Sequence, residues 1–78
     1  MDTSTLLLDY IKKELLRGRN TNLTVDTDLL GAGIVDSLGI LQIVAFVDER
    51  LGKQIPDEDV TYENFHSVRV LSDYLARS

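Results

Sequence analysis

The chain has 78 residues, enough for one small domain but not for a second domain or a large enclosed active-site cavity. It has no cysteine and one histidine, which excludes disulfides, thiolate metal sites and histidine metal clusters. A formal charge of −5 and a pI of about 4.5 argue against nucleic-acid binding. They suit partners that present Lys and Arg.

No segment predicts secretion or membrane insertion. Asp2 and Asp9 flank the first leucine run, but no basic residue precedes it, unlike in a signal peptide. The longest uninterrupted apolar stretch, residues 43–47, is too short to span a bilayer. With neither kind of segment, the default expectation is a cytoplasmic protein that binds no membrane. Because the chain starts at Met and is domain-sized, we expect a free-standing domain over residues 1–78, and we expect it to be a monomer.

The first segment predicts a helix and then a long loop. Apolar residues recur at three- and four-residue spacing, at Leu7, Leu8, Ile11, Leu15 and Leu16. Thr3 or Ser4 is expected to cap the helix, and Gly18 to end it. Residues 18–28 are mostly polar, and the isolated apolar residues there and just beyond are expected to pin the loop to the core. They are Leu23, Val25, Leu29 and Leu30.

A second helix is predicted from Ser37 to Leu51, with Asp36 and Ser37 suited to its start and Gly52 to its end. One apolar stripe contains Ile43, Val47 and Leu51. Phe46 lies off that stripe, and we expect it to pack against the long loop.

Two further helices follow Pro56. Thr61 would cap a short helix that ends at Phe65, and Ser67 would cap a last helix. In that last helix, Val68, Leu71 and Leu75 share one face. No run alternates apolar and polar residues long enough to predict a strand. The fold class is therefore all-α: a four-helix bundle of three longer helices and one short one, with a long first loop.

Enzymatic and metal sites find little support. A nucleophile elbow around Ser37 would lack its leading glycine and its strand, and His66 has no evident acid partner. Calcium-loop frames that begin at Asp26 and Asp57 lack the required glutamate at position twelve. We predict no catalytic residue and no metal site.

Ser37 is the strongest candidate site. Unpaired amides and the positive end of a helix dipole surround a serine at a helix N-terminus, which favours a phosphate there. A long glycine-containing loop precedes it, and the following helix has an exposed face of apolar and acidic residues. These features suit a serine that accepts a phosphodiester-linked group beside a docking surface.

Residues 33–38, G-I-V-D-S-L, resemble the attachment motif of acyl carrier proteins. The resemblance extends to Leu29-Leu30-Gly31, to Ile55-Pro56-Asp57 and to residues 61–71, and so covers nearly the whole chain. It implies a covalent 4′-phosphopantetheine on Ser37. Asp36 would help the pantetheinyl transferase to position its metal and phosphate, or would only cap the helix. The implied partner-facing surface consists of Leu38, Leu41, Gln42, Ala45, Asp48 and Glu49.

The second helix departs from fatty-acid carriers of this family. Gly39 and Gln42 stand where acids are usual, and Arg50 interrupts the acidic row. Residues 33–39 and 63–68 are more similar to stand-alone carriers that are paired with dedicated ligases or biosynthetic clusters, some of which carry amino acids. The resemblance also implies an acyl groove, which a small bundle would more readily use as core. Its candidate residues are Leu41, Ala45, Phe46, Val60 and Tyr62.

We expect a carrier, not an enzyme, that delivers acyl or aminoacyl thioesters in fatty-acid-like or secondary-metabolite biosynthesis. Its partners would be a pantetheinyl transferase, an acyl- or aminoacyl-activating ligase and downstream synthases. The alternatives are an aminoacyl or peptidyl carrier of D-alanyl type with a dedicated ligase, an arm-less acidic interaction module of the same fold, and a small hydrolase that uses Ser37.

Overall fold

A computed structural model describes residues 2–16 and 22–77 and confirms the all-α bundle. Within these ranges there is no strand. Helix α1 covers Thr3–Tyr10 and continues as a π-helical turn, Ile11–Leu15, and helix α2 covers Ser37–Phe46 and continues in the same way, Val47–Leu51. A 3₁₀ turn, Asp57–Asp59, precedes the short helix α3, Tyr62–Phe65, and the last helix α4, Val68–Arg77.

The start of α1 differs from the prediction by one residue. Asp2, not Thr3 or Ser4, is the N-cap, and its Oδ1 accepts a hydrogen bond from the Thr5 amide at 2.8 Å. The hydrogen bonds from Thr5 lower the pKa of Asp2 below its ordinary value. A carboxylate satisfies the orphan amides of a helix start and also complements the helix dipole. The predicted end at Gly18 lies outside the described residues.

The hydrophobic core lies between the four helices, and its side chains are almost completely shielded from solvent. Leu7 and Ile11 from the first helix, Ile43 and Val47 from the second, and Phe65 from α3 are each at most 2% exposed. The predicted face of α4 is also buried, since its three apolar residues Val68, Leu71 and Leu75 are at most 2% exposed. This burial confirms the centre of each stripe that the apolar spacing predicted, and the other predicted members Leu8, Leu15 and Leu51 are half-buried and pack against the core.

The described part of the loop is pinned by the apolar residues that the sequence indicated. Leu23 and Leu29 are buried, while Val25 and Leu30 are half-buried and pack against the core. Two backbone hydrogen bonds also hold the loop: the Leu29 amide donates to the His66 carbonyl at 2.7 Å, and the Arg69 amide donates to the Val25 carbonyl at 2.9 Å. The loop is therefore attached to the junction between α3 and α4.

Phe46 packs against α1, a contact that the prediction of packing against the loop missed. Its ring stacks on Tyr10 of α1 with centroids 4.2 Å apart, and Arg50 lies over the same ring at 5.7 Å. The residue lies on the side of α2 that faces α1, where an aromatic partner offers more contact than an irregular segment does. Phe46 therefore joins the first two helices.

The predicted ends of the remaining elements are confirmed. Gly52 ends the second helix in the left-handed conformation, with φ 68°. Thr61 Oγ1 accepts from the Asn64 amide at 3.3 Å, and the buried Ser67 accepts from the Val70 amide at 3.2 Å. In the described ranges, moreover, no helix combines the length and the apolar character needed to cross a bilayer.

Candidate functional site

Ser37 is the first residue of α2, and its side chain is exposed to solvent. To the other described residues its hydroxyl makes no hydrogen bond. The oxygen is therefore accessible and is not used to hold the fold together. A serine that served only as a cap would use its hydroxyl oxygen as an acceptor for a first-turn amide.

Asp36 is the N-cap of α2. Its Oδ1 accepts from the Gly39 amide at 2.9 Å, and its carbonyl accepts from the Ile40 amide at 2.9 Å. The first bond satisfies one of the four orphan amides of the helix start, and the second is the first regular bond of the helix. The amides of Ser37 and Leu38 make no hydrogen bond to the described residues. The remaining amides and the helix dipole favour an anionic group on the neighbouring serine. The second carboxylate oxygen of Asp36 stays available at the surface.

The loop that leads to Ser37 is a compact hydrogen-bonded turn. The Leu29 carbonyl accepts from the amides of Ile34 and Val35, both at 3.0 Å. Gly33 adopts φ 72°, a left-handed conformation that favours glycine, and Val35 is buried. This turn fixes where the chain enters α2, two residues before Ser37.

Gly39 explains one departure from the family pattern. It is buried, and a Cβ there would lie 2.9 Å from Val35 Cγ1 and 3.7 Å from Leu15 Cδ1. The position that is usually acidic in fatty-acid carriers faces other side chains here, so any larger residue would displace its neighbours. The glycine is therefore required by packing between the helix start and the end of the first helix.

Along α2, the residues predicted to face partners share an exposed surface. Leu38 and Leu41 are 63% and 65% exposed, unusually high for leucine, and the rest of the set is also exposed. From Ser37 to Phe46 the helix contains no charged residue; carboxylates appear only in the following turn. We call this set the α2 surface: Leu38, Leu41, Gln42, Ala45, Asp48 and Glu49.

A groove of about 330 Å³ runs beside this surface. Residues 41, 44, 45 and 48 share one side of a helix with Ser37, at three- and four-residue spacing. Sequence reasoning missed Val44, Gln54 and Ile55, although the helical spacing from Ser37 could have indicated Val44. Phe46, Val60 and Tyr62, which were expected to border an acyl groove, do not line this one. The groove is lined by Leu41, Val44, Ala45, Asp48, Gln54 and Ile55.

Two aspartates of the loop and the histidine make structural contacts within the fold. The Gly31 amide and the Tyr62 hydroxyl hold the pKa of Asp28 below its ordinary value, and the Arg69 side chain does the same for Asp26. His66 lies between α3 and α4, with its ring stacked on Tyr62. Among the described residues, no group of three acidic or histidine side chains is placed to hold a metal ion.

The fold and the site define a small helical bundle that displays one free serine at a helix N-terminus, next to an exposed, mostly apolar helix surface. The sequence model described as "Phosphopantetheine attachment site" matches residues 5–75. The chain therefore belongs to the phosphopantetheine-attachment family, as the motif around Ser37 indicated.

Among solved structures, one similar chain comes from a crystal structure described as that of an FAD-dependent dehydrogenase. It superimposes with a TM-score of 0.84 at 31% sequence identity, over 90% of this chain and 99% of that chain. The match supports the four-helix carrier fold. No curated protein sequence matches the chain.

The family's prosthetic group is a covalently attached 4′-phosphopantetheine, and the residues present fit it. An exposed, unpaired hydroxyl is available for the phosphodiester bond, with two free amides of the helix start beside it. The arm ends in a thiol, which holds cargo as a thioester. As a phosphopantetheine carrier, the protein works with a pantetheinyl transferase and with partner enzymes.

Proposed function

We propose that the protein carries acyl or aminoacyl groups as thioesters on an arm attached to Ser37 and delivers them to partner enzymes. The observation that supports this most directly is the exposed, unbonded Ser37 hydroxyl at the start of α2. A tethered thioester is activated relative to an oxygen ester, and the tether raises the effective concentration of cargo at each enzyme. The bundle provides a rigid attachment point and leaves bond chemistry to its partners.

The α2 surface is our proposed docking surface. The highly exposed Leu38 and Leu41 offer apolar contacts close to Ser37, and Asp48 and Glu49 offer carboxylates about three turns along the helix. An exposed apolar patch bordered by charges is typical of an interaction site. Because the first ten residues of α2 are uncharged, apolar contact should dominate, and basic partner groups should matter mainly at the far end.

For the cargo, we favour an acyl or aminoacyl group that is loaded by a dedicated ligase. The uncharged start of α2 lacks the acidic row that the family's fatty-acid carriers present to general synthases. Gly39 cannot acquire a side chain without displacing Val35, so this difference is built into the packing. An aminoacyl cargo of D-alanyl type remains the alternative to an acyl cargo.

One observation favours a particular class of consuming enzyme. The similar solved structure is described as an FAD-dependent dehydrogenase. The alignment covers 99% of the matched chain, so that chain is itself about the size of the present domain. We therefore propose, as a second candidate, that this chain presents its thioester to a flavin-dependent dehydrogenase. In such a reaction the flavin would accept a hydride and the substrate would lose a proton, forming a double bond next to the thioester.

The test of cargo begins with protein that has received its arm from coenzyme A and a broad-specificity transferase. Intact-mass analysis then follows incubation with ATP, candidate ligases and a panel of fatty, short-chain and amino acids. We expect a mass gain with a short-chain or amino acid and none with fatty acids. Efficient loading of long fatty acids alone would contradict the proposed cargo class. Ser37→Ala should acquire neither arm nor cargo.

The remaining alternatives give different results in the same preparation. An arm-less interaction module would stay at its unmodified mass with every transferase tested. A hydrolase would react with a fluorophosphonate probe at Ser37, whereas we expect no labelling, because no described residue acts as a base on its hydroxyl.

A further inference from the structure

A side-chain hydrogen bond links α3 to the loop that leads to Ser37. The Tyr62 hydroxyl donates to Asp28 Oδ2 at 2.8 Å across 34 residues of sequence. The other oxygen of the same carboxylate accepts from the Gly31 amide at 2.8 Å. One carboxylate therefore connects a side chain of the short helix to the backbone of the turn before the attachment site.

Tyr62 is not held by burial, because its side chain is 51% exposed. Its ring stacks on His66 with centroids 5.0 Å apart and planes at 21°. The stacking and the bond to Asp28 therefore fix where the hydroxyl lies. The ionised carboxylate makes this bond stronger than one between neutral groups.

The position of Asp28 is transmitted to Ser37 through consecutive backbone hydrogen bonds. The Asp28 carbonyl accepts from the Ala32 amide at 3.0 Å, and the next carbonyl, of Leu29, accepts from the amides of residues 34 and 35. Residue 35 is buried and residue 36 is the N-cap of α2, directly before Ser37. A shift at Asp28 therefore moves the turn that sets the entry into α2.

A second contact keeps the loop attached if the first is lost. The Leu29 amide donates to the His66 carbonyl at 2.7 Å, and the Leu29 side chain is 1% exposed. Removal of the Tyr62 hydroxyl should therefore let the turn pivot about Leu29 without unfolding the domain. The Tyr62 contact sets the orientation of the turn, while the Leu29 contact keeps the loop attached to the residues between α3 and α4.

We propose that Tyr62 and Asp28 are positioning residues for the modification of Ser37: they hold the loop in the conformation that presents its hydroxyl to the pantetheinyl transferase. The inference rests on the proposed function. When the link is lost, the presenting conformation is less populated, and the apparent affinity for the transferase falls in proportion. The rate within the bound complex is unaffected.

The test compares the kinetics of arm transfer from coenzyme A to wild-type, Tyr62→Phe and Asp28→Asn protein. Tyr74→Phe is the matched control, because the Tyr74 hydroxyl also donates to an aspartate, Asp59, but joins α4 to the 3₁₀ turn. For Tyr62→Phe we expect the KM for the carrier to rise about three- to tenfold, with kcat within about twofold of wild type. Tyr74→Phe should leave both constants at wild-type values.

The NMR chemical shifts of the backbone amides provide a second measurement, which a loss of stability alone would not change. In Tyr62→Phe, the signals of residues 31–38 should shift at a temperature where the protein is fully folded, while those of α4 beyond the junction stay in place. Unchanged KM in Tyr62→Phe, or an equal rise in Tyr74→Phe, would overturn the inference and leave the carrier assignment intact. A wild-type protein that accepts no arm would instead refute the carrier function, and this inference with it.

Discussion

Two regions of the bundle are built differently. The loop over residues 24–35 is tied to α3 and α4 by paired side chains, with Arg69 bonded to both carboxylate oxygens of Asp26 and Tyr62 bonded to Asp28. Within the described residues, the side chains of the α2 surface make no such bonds, although the Tyr10 hydroxyl donates to the Gln42 backbone carbonyl at 3.3 Å. Its leucines project into solvent from an uncharged helix segment. The tied region holds the attachment point in place, and the free surface remains available to other molecules.

Exposure of a side chain has opposite meanings in the two regions. Asp26 and Tyr62 are exposed and yet engaged in defined contacts within the fold. Leu38 and Leu41 are exposed and have no polar group in their side chains. Their contact with water is therefore unfavourable in the isolated protein, and their burial by a partner would be favourable. Substitutions should therefore separate effects on stability from effects on partner binding.

The largest expected effect is on a residue of the hydrophobic core, which belongs to neither region. Leu71→Ala removes a side chain that is 0% exposed and should lower the free energy of unfolding by about 2–5 kcal/mol, because transfer and cavity terms add. The matched control is Leu41→Ala, with a side chain that is 65% exposed, which should change it by no more than about 0.5 kcal/mol. Urea denaturation measures both, and equal losses would contradict the assignment of Leu41 to a free surface.

The next effect concerns partner binding. Leu41→Glu places a charge at the centre of the α2 surface and should raise the KM of a loading ligase for the armed carrier about tenfold or more. Thermal stability should stay near that of wild type. Arg69→Gln, in the tied region, is the control that should leave this KM unchanged. An unaffected KM in Leu41→Glu would place docking elsewhere on the molecule.

A smaller effect on the free energy of unfolding is expected for Asp36, which lies between the loop and α2. Asp36→Ala removes the cap that accepts from the Gly39 amide and should cost about 1 kcal/mol of unfolding free energy. Asp36→Ser restores an N-cap oxygen and should recover most of the stability. If transfer of the arm recovers as well, Asp36 acts only as a cap; if it stays slow, the carboxylate also serves the transferase.

The smallest effect is the response to acid. The pKa values of Asp26 and Asp28 are lowered in the folded state, chiefly by Arg69 and by the Gly31 amide respectively. Their stabilisation is therefore complete above the unfolded-state pKa and is lost as pH falls below about 4 through the lower folded values. Asp26→Asn combined with Asp28→Asn should flatten the pH dependence of Tm in this range.

Helical periodicity was sufficient to predict most of the bundle, because buried stripes at three- and four-residue spacing are local in sequence. The start of the second helix and its end at Gly52 followed from cap chemistry, and Ser37 followed from its motif. The contacts that sequence reasoning missed are long-range: Phe46 against Tyr10, and Tyr62 against Asp28. Many surface side chains are chemically able to make such pairs, so their pairing depends on how the helices pack.

The shift of the first cap from Thr3 or Ser4 to Asp2 has a different cause. All three residue types are good N-caps, and the spacing of the leucines does not distinguish them. The groove beside α2 was expected only from the family resemblance, and two of its five candidate residues, Leu41 and Ala45, line it. Gln54 and Ile55 reach it from the segment after Gly52, whose path is not periodic.

The most direct measurement is intact-protein mass spectrometry of the wild-type chain after incubation with coenzyme A and a transferase, with the modified residue located by fragmentation. We expect a gain of one 4′-phosphopantetheine group, on Ser37 alone, and no gain in Ser37→Ala. An unmodified wild-type protein, or an arm found on another residue, would contradict it.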